Sequence, residues 1–203
     1  MKTLPTSQPE LALPDRRLFL GGLGKATLSA TAVALIVGCE SLAANQDKQM
    51  AANSAQDVGI LNVALGLEHE AIGAYQLGAE SGLLQKPVLD VAVLFQSQHK
   101  EHRDALTGAI MKMGGTPVAA KPLGDYAAAL KADTLKSQAD VLMLAAKLER
   151  GAANAYLGVI PSFEDPGLAQ VSGRLAADET MHWTVLAQAL GQALPSKALS
   201  FGA

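Results

Sequence analysis

An internal repeat constrains this chain more than any other feature. The segment Leu67-Glu68-His69-Glu70-Ala71-Ile72-Gly73-Ala74-Tyr75 returns as Leu148-Glu149-Arg150-Gly151-Ala152-Ala153-Asn154-Ala155-Tyr156, sharing Glu-x-x-Ala-x-x-Ala-Tyr at an offset of 81. Further along, His99-x-x-His102-x-x-x-Leu106 aligns with Glu179-x-x-His182-x-x-x-Leu186 at an offset of 80. Two copies of one helical hairpin account for both matches. Each first helix then offers one carboxylate and each second helix an i, i+3 pair, which is the pattern of a metal site inside a four-helix bundle.

Alanine and leucine dominate, alternating β-branched runs are absent, and apolar residues recur at three and four, so the chain reads as all-α. The first helix is expected from about Asp57 to Ala79 and the second from about Pro87 to Met113, ended by Gly114-Gly115. The third is expected from about Thr134 to Val159, and the fourth from Asp165-Pro166, an N-cap and first-turn proline, to Leu190. Connections within each pair are short and give antiparallel hairpins. The stretch from Gly114 to Asp133, with Pro117, Pro122 and Gly124, is long enough at about 3.3 Å per residue to cross the length of a bundle.

On these helices the polar candidates interrupt apolar stripes. Glu68 falls among Leu61, Ala64, Ala71 and Tyr75, and Glu149 among Val141, Ala145, Ala152 and Tyr156. His99 and His102 fall among Val88, Phe95 and Leu106, and Glu179 and His182 among Leu168, Leu175 and Leu186. An uncompensated carboxylate on an inward face costs several kcal/mol, so these groups must be paired, protonated or bound to metal. Salt bridges to Arg103, Arg150 or Arg174 are the plain alternative, but the identical context of the two glutamates argues against it. Tyr75 and Tyr156 are expected in the core, with hydroxyls bonded to the site carboxylates. His69 and Glu70 project away from the Glu68 direction and are read as outer or surface groups.

The first 38 residues read as an address, outside the fold. Asp15-Arg16-Arg17-Leu18-Phe19-Leu20 resembles a twin-arginine export motif, and Ile36-Val37-Gly38-Cys39 resembles a bacterial lipobox in which Cys39, the single cysteine, is lipidated. The resemblance implies a periplasmic or otherwise extracytoplasmic protein attached to a membrane through Cys39. The twin-arginine route carries folded cargo, which fits a metalloprotein loaded in the cytoplasm. Residues 39–55 are polar and small and read as a tether; residues 56–192 form one domain, and 193–203 a C-terminal tail. Without Lys2, Arg16, Arg17, Lys25, Glu10 and Asp15, the chain from Cys39 onward has 12 Lys and Arg against 17 Asp and Glu, a net charge of −5. With no basic cluster, nucleic acid is not an expected partner. Protein partners are unspecified, and assembly into a homo-oligomer stays open.

Taken with the short, long, short connections, these boxes resemble the ferritin-like superfamily of four-helix bundles, over roughly residues 57 to 191. The resemblance implies a dinuclear iron or manganese site with Glu68 and Glu149 as terminal ligands, Glu179 as a bridge, and His102 and His182 as imidazole ligands. His99 stands where the family pattern has a second bridging glutamate. Three carboxylates then leave two divalent cations one positive charge in excess, which hydroxide or an outside anion could supply, unless a single metal binds. Zinc suits the same ligands as iron and manganese. Three functions remain: a metal-dependent oxidoreductase of the oxidase, peroxide-scavenging or ferroxidase kind, non-catalytic metal binding, or a metal-free scaffold serving as an envelope interaction module. Because imidazole ligates in its neutral form, metal binding is expected to fade below about pH 6.

Overall fold

The computed structural model describes the backbone of residues 36–202 and the side chains of residue 46 and residues 48–202. The chain divides into two units, Met1–Ser41 and Leu42–Ala203, and the helical domain belongs to the second. Arg16 and Arg17 lie outside the described residues, as does the side chain of Cys39.

Among the described residues every regular element is helical. They are α1 (Ile36–Glu80), α2 (Lys86–Lys112), the short α3 (Leu123–Ala129), α4 (Gln138–Val159) and α5 (Pro166–Ala189), with 3-10 turns at Ala132–Thr134 and Ile160–Ser162. None is long and apolar enough to cross a membrane.

The helix ends follow from local chemistry. Ser137 caps α4 by accepting the Asp140 N–H, while Asp140 accepts the Lys136 N–H at 3.0 Å and the Ser137 hydroxyl at 2.8 Å. That closed cap starts the helix at Gln138, later than the expected Thr134, and the intervening residues form a separate turn after Lys131, whose φ is 53°. Asp165 caps α5 through the Gly167 N–H, with Pro166 in the first turn. At the end of α2, Gly114 takes φ 77° and the Gly115 N–H returns to the Ile110 carbonyl, the reversal that favours glycine after a helix.

The first helix starts earlier than its expected Asp57. Residues 40–55 contain no glycine or proline and are rich in Ala, with Leu42, Gln46, Lys48, Gln49 and Met50 also good helix formers, so nothing stops the helix there. Its side chains reach the turn between α4 and α5: Asn53 donates to Glu164 at 3.2 Å and Gln56 to the Ser162 carbonyl at 2.7 Å. One turn on, Asp57 is buried and accepts the N–H groups of Glu164 and Asp165, pinning the approach to α5.

Contacts run in antiparallel register within each hairpin. Gln96 of α2 donates to the Ile72 carbonyl and to Gln76 of α1, and Ser172 of α5 donates to the Tyr156 carbonyl of α4. Two apolar clusters fill the bundle. One joins Leu61, Leu65, Leu106, Ile110, Tyr156 and Leu175, and the other joins Tyr75, Phe95, Leu142, Trp183 and Leu186. Between them, α1, α2, α4 and α5 each carry their candidate ligands. The expected tail also docks: Phe201 packs edge-on against Trp183, and the Gly202 N–H donates to Asn154.

The crossover is held by a close approach. The Tyr126 ring of α3 lies so near Gly73 that a Cβ on that residue would sit 2.8 Å from Tyr126 Cδ2 and 3.0 Å from Cγ. Gly73→Ala should therefore lower stability by about 1–3 kcal/mol through forced displacement of the ring. Gly66→Ala, on the same helix with nothing within 4 Å, should instead raise it by up to about 1 kcal/mol. Urea unfolding of both variants checks this, and equal signs would contradict it.

Candidate metal centre

All six residues singled out from the repeat meet between the two apolar clusters. Glu68, His99, Glu149, Glu179 and His182 are at most 3% exposed and His102 is 7% exposed, so solvent does not solvate their charges. Their donor atoms form two overlapping groups of four, Glu68, His99, His102 and Glu179, and His99, Glu149, Glu179 and His182, each with ligand atoms within 4.8 Å of one another. His99 and Glu179 belong to both. His99 thus sits in the middle of the cluster, with Nδ1 2.8 Å from Glu68 and Nε2 3.2 Å from Glu149.

The repeat reappears as a reciprocal exchange between the two halves. Tyr75 of α1 donates to Glu149 of α4, and Tyr156 of α4 donates to Glu68 of α1. Each hydroxyl orients the other hairpin's carboxylate. The second helices do the same with imidazoles: His102 Nε2 lies 3.3 Å from Asp178, and His182 Nε2 lies 2.7 Å from Gln98. Gln98 and Asp178 stand at the repeat offset of 80, each just before the first member of its pair. They were missed in the sequence, where their position on the repeat is the signal that finds them. With the outer nitrogens held, the Nδ1 atoms of His102 and His182 turn inward, 3.2 and 3.5 Å from Glu179.

Glu179 is unlike the other two glutamates. Neither of its oxygens has a hydrogen-bond partner, nor does His102 Nδ1, although all three atoms are buried. Unmade bonds of this kind cost about 1–3 kcal/mol each, more for charged groups. They point into the same space.

Electrostatics fit a cluster of opposed charges. Burial resists ionisation of Glu68, yet His102, 3.6 Å away, and the hydrogen-bonded His99 outweigh it and hold that carboxyl down at about 2. Glu149 is held low as well, against burial, by Glu179, His182 and His99. Burial also opposes protonation of the imidazoles, but bonds to Glu149 and Glu68 lift His99 to about 10, and the Glu179 and Glu68 carboxylates, 3.2 and 3.6 Å from Nδ1, lift His102 to about 10. Glu179 is pushed up, first by burial and then by its neighbour Glu149. Burial followed by the adjacent carboxylates also raises both tyrosines, so Tyr75 and Tyr156 stay protonated as donors.

Among the described residues no arginine supplies the plain alternative. Arg103 pairs with Asp104 at 2.7 Å, Arg150 lies over the Trp183 and Phe201 rings, and Arg174 is exposed. His69 faces outward onto the Val118 carbonyl at 3.1 Å.

An all-helical bundle with a buried ring of three carboxylates and three imidazoles defines the class of ferritin-like helical proteins with groups that could hold a metal. The ferritin-like domain family matches residues 56–192, and the chain belongs to that family. The crystal structure of a conserved hypothetical protein, rv2844, from Mycobacterium tuberculosis is similar in fold. Its TM-score is 0.58 at 22% identity, with 72% of this chain and 99% of that chain covered. No curated protein sequence matches the chain.

Proposed function

We propose that this protein binds iron or manganese, as one ion or two, among Glu68, His99, His102, Glu149, Glu179 and His182, with zinc accepted by the same donors. The observation that carries the reading is the buried, unpartnered set formed by both Glu179 oxygens and His102 Nδ1. A polar network that served only the fold would be closed by hydrogen bonds, because half-satisfied networks are costly. The residues present fit a metal in kind as well, since imidazole and carboxylate suit iron, manganese and zinc.

Bound there, iron or manganese would supply redox or Lewis-acid chemistry of the oxidase or ferroxidase type. The chain's own part is preorganisation. Tyr75 and Tyr156 hold Glu149 and Glu68, and Asp178 and Gln98 aim His102 and His182. Phe95 stacks on the His182 ring with centroids 4.1 Å apart and helps to keep water out.

Trp183 reports on occupancy because it follows His182 directly and is buried. Titrating the metal-free chain with Co(II) or Fe(II) should quench its fluorescence to saturation at one or two equivalents. Fluorescence unchanged into the millimolar range would overturn the reading.

The same proposal places the protein outside the cytoplasm, anchored through a lipidated Cys39. Support comes from the twin arginines and the Ile-Val-Gly-Cys ending. Cell fractionation of Cys39→Ala should move the protein from the membrane to the soluble fraction; unchanged attachment would contradict the anchor.

A further inference from the structure

A cavity of about 450 Å³ opens beside the cluster, bordered by α1, the first half of α2, α4, the end of α5 and the crossover residues Leu130, Ala132 and Leu135. That volume lies in the range of roughly 300–1,000 Å³ usual for small-molecule sites. It exists because facing positions are small: Ala71, Ala74 and Gly78 on α1 oppose Ala145 and Ala152 on α4. Its lining is apolar almost throughout. Besides Tyr75, four ionisable side chains interrupt it, and they divide by exposure. Lys147 is exposed and Glu70 half-buried, so that end meets solvent. His99 and Glu149, 1% and 2% exposed, mark the inner end.

The inner end is also where the centre lacks a charge. Two divalent cations carry +4, while Glu68, Glu149 and Glu179 supply −3, and His99 occupies the middle of the cluster without adding an anion. His99 is the cluster imidazole that lines the cavity. A ligand with an apolar tail and a carboxylate head would cover the walls and bring the missing charge to that place.

We propose that the cavity binds a long-chain carboxylate, tail along the apolar walls and head beside His99 and Glu149, completing the charge of a two-metal centre. The proposal rests on the metal-binding reading above. Without metal, Glu149 balances the His99 imidazole 3.2 Å away at the inner end, so an incoming carboxylate meets no excess positive charge and head-group preference depends on loading. An alcohol of equal length has the tail but not the charge.

Isothermal titration calorimetry of the full-length chain with decanoate, decanol and acetate separates these terms. Mn(II)-loaded protein should bind one decanoate at least tenfold more tightly than decanol or acetate, and removing Mn(II) should abolish the preference over decanol. Ala74→Phe fills the cavity, and Val185→Trp narrows it from a half-exposed position that tolerates bulk. Each should weaken decanoate binding at least tenfold while Mn(II) content is unchanged. Decanoate no tighter than decanol in the loaded chain would overturn the proposal. So would undiminished decanoate binding in whichever of the two variants melts like the parent. A chain that takes up no Mn(II), seen in the metal titration before any decanoate is added, sinks the metal reading and this one with it.

Discussion

Glu179→Gln should remove saturable metal binding and leave the metal-free fold nearly as stable as the parent. The two effects separate because burial pushes Glu179 toward the neutral form that Gln mimics and it has no hydrogen-bond partner to lose, while it belongs to both groups of potential ligands. Its affinity loss should exceed the roughly 10–100-fold typical of losing an outer partner of a ligand. Glu68→Gln makes the contrast. Glu68 is bonded to Tyr156 and His99 and lies 3.6 Å from His102, so its loss breaks a closed buried network. That should cost the metal-free protein about 3–5 kcal/mol in addition to metal affinity. Urea unfolding in chelator, alongside Mn(II) titration, measures both. If Glu179→Gln destabilised the metal-free chain as much as Glu68→Gln, the cluster would be a structural network and not a vacant donor set.

Metal should stabilise the protein strongly at alkaline pH and weakly at acid pH. In the metal-free chain, His99 and His102 titrate near 10 against an ordinary 6.5. A raised imidazole contributes stability that is complete below the unfolded value and lost as pH rises through the folded one. Glu68, held at about 2 against an ordinary 4.5, contributes stability that is present above 4.5 and lost as pH falls toward 2. The metal-free chain should therefore be most stable between these ordinary values, from about 4.5 to 6.5, and soften above. Metal must displace the imidazole protons, so its binding strengthens over the same rise in pH. The boundary for binding accordingly lies higher than the pH 6 expected from free imidazole, because buried carboxylates hold the protons on. With metal at a thousandfold excess over its dissociation constant, mass action adds about 4.1 kcal/mol. For a domain of this size that is a rise in Tm of roughly 8–16 °C. Calorimetric melting with and without Mn(II) at pH 6 and pH 9 checks the trend; a larger gain at pH 6 would contradict it.

The six residues of the cluster were legible because charged side chains on apolar helical stripes are conspicuous, and because the repeat tied each to a counterpart. The hydroxyl partners followed from the same logic, as Tyr75 and Tyr156 sit two turns beyond Glu68 and Glu149 on one face. Gln98 and Asp178 were marked only by their shared place on the repeat, since taken singly a polar residue beside a ligand pair is indistinguishable from solvated helix surface until the opposite helix is in place. The same holds for Asp57, whose carboxylate reads as an ordinary helix residue but accepts two backbone N–H groups more than a hundred positions away. Helix ends fared according to their punctuation. Pro87, Asp165-Pro166 and Gly114 marked theirs well, whereas α1 runs back through a segment of strong helix formers that carries no stop. Tyr126 on Gly73 and Phe201 on Trp183 depend on how connections fold back, which periodicity does not encode. The cavity arises from what is missing, small residues facing one another across α1 and α4, and so leaves no motif.

Elemental analysis of the full-length protein, purified without chelator, tests most directly whether the buried donors hold metal. One or two equivalents of iron or manganese per chain are expected, falling below a tenth of that in Glu179→Gln protein that still folds. Parent protein with no stoichiometric metal, and none regained on incubation with Fe(II), Mn(II) or Zn(II) at pH 8, would contradict it.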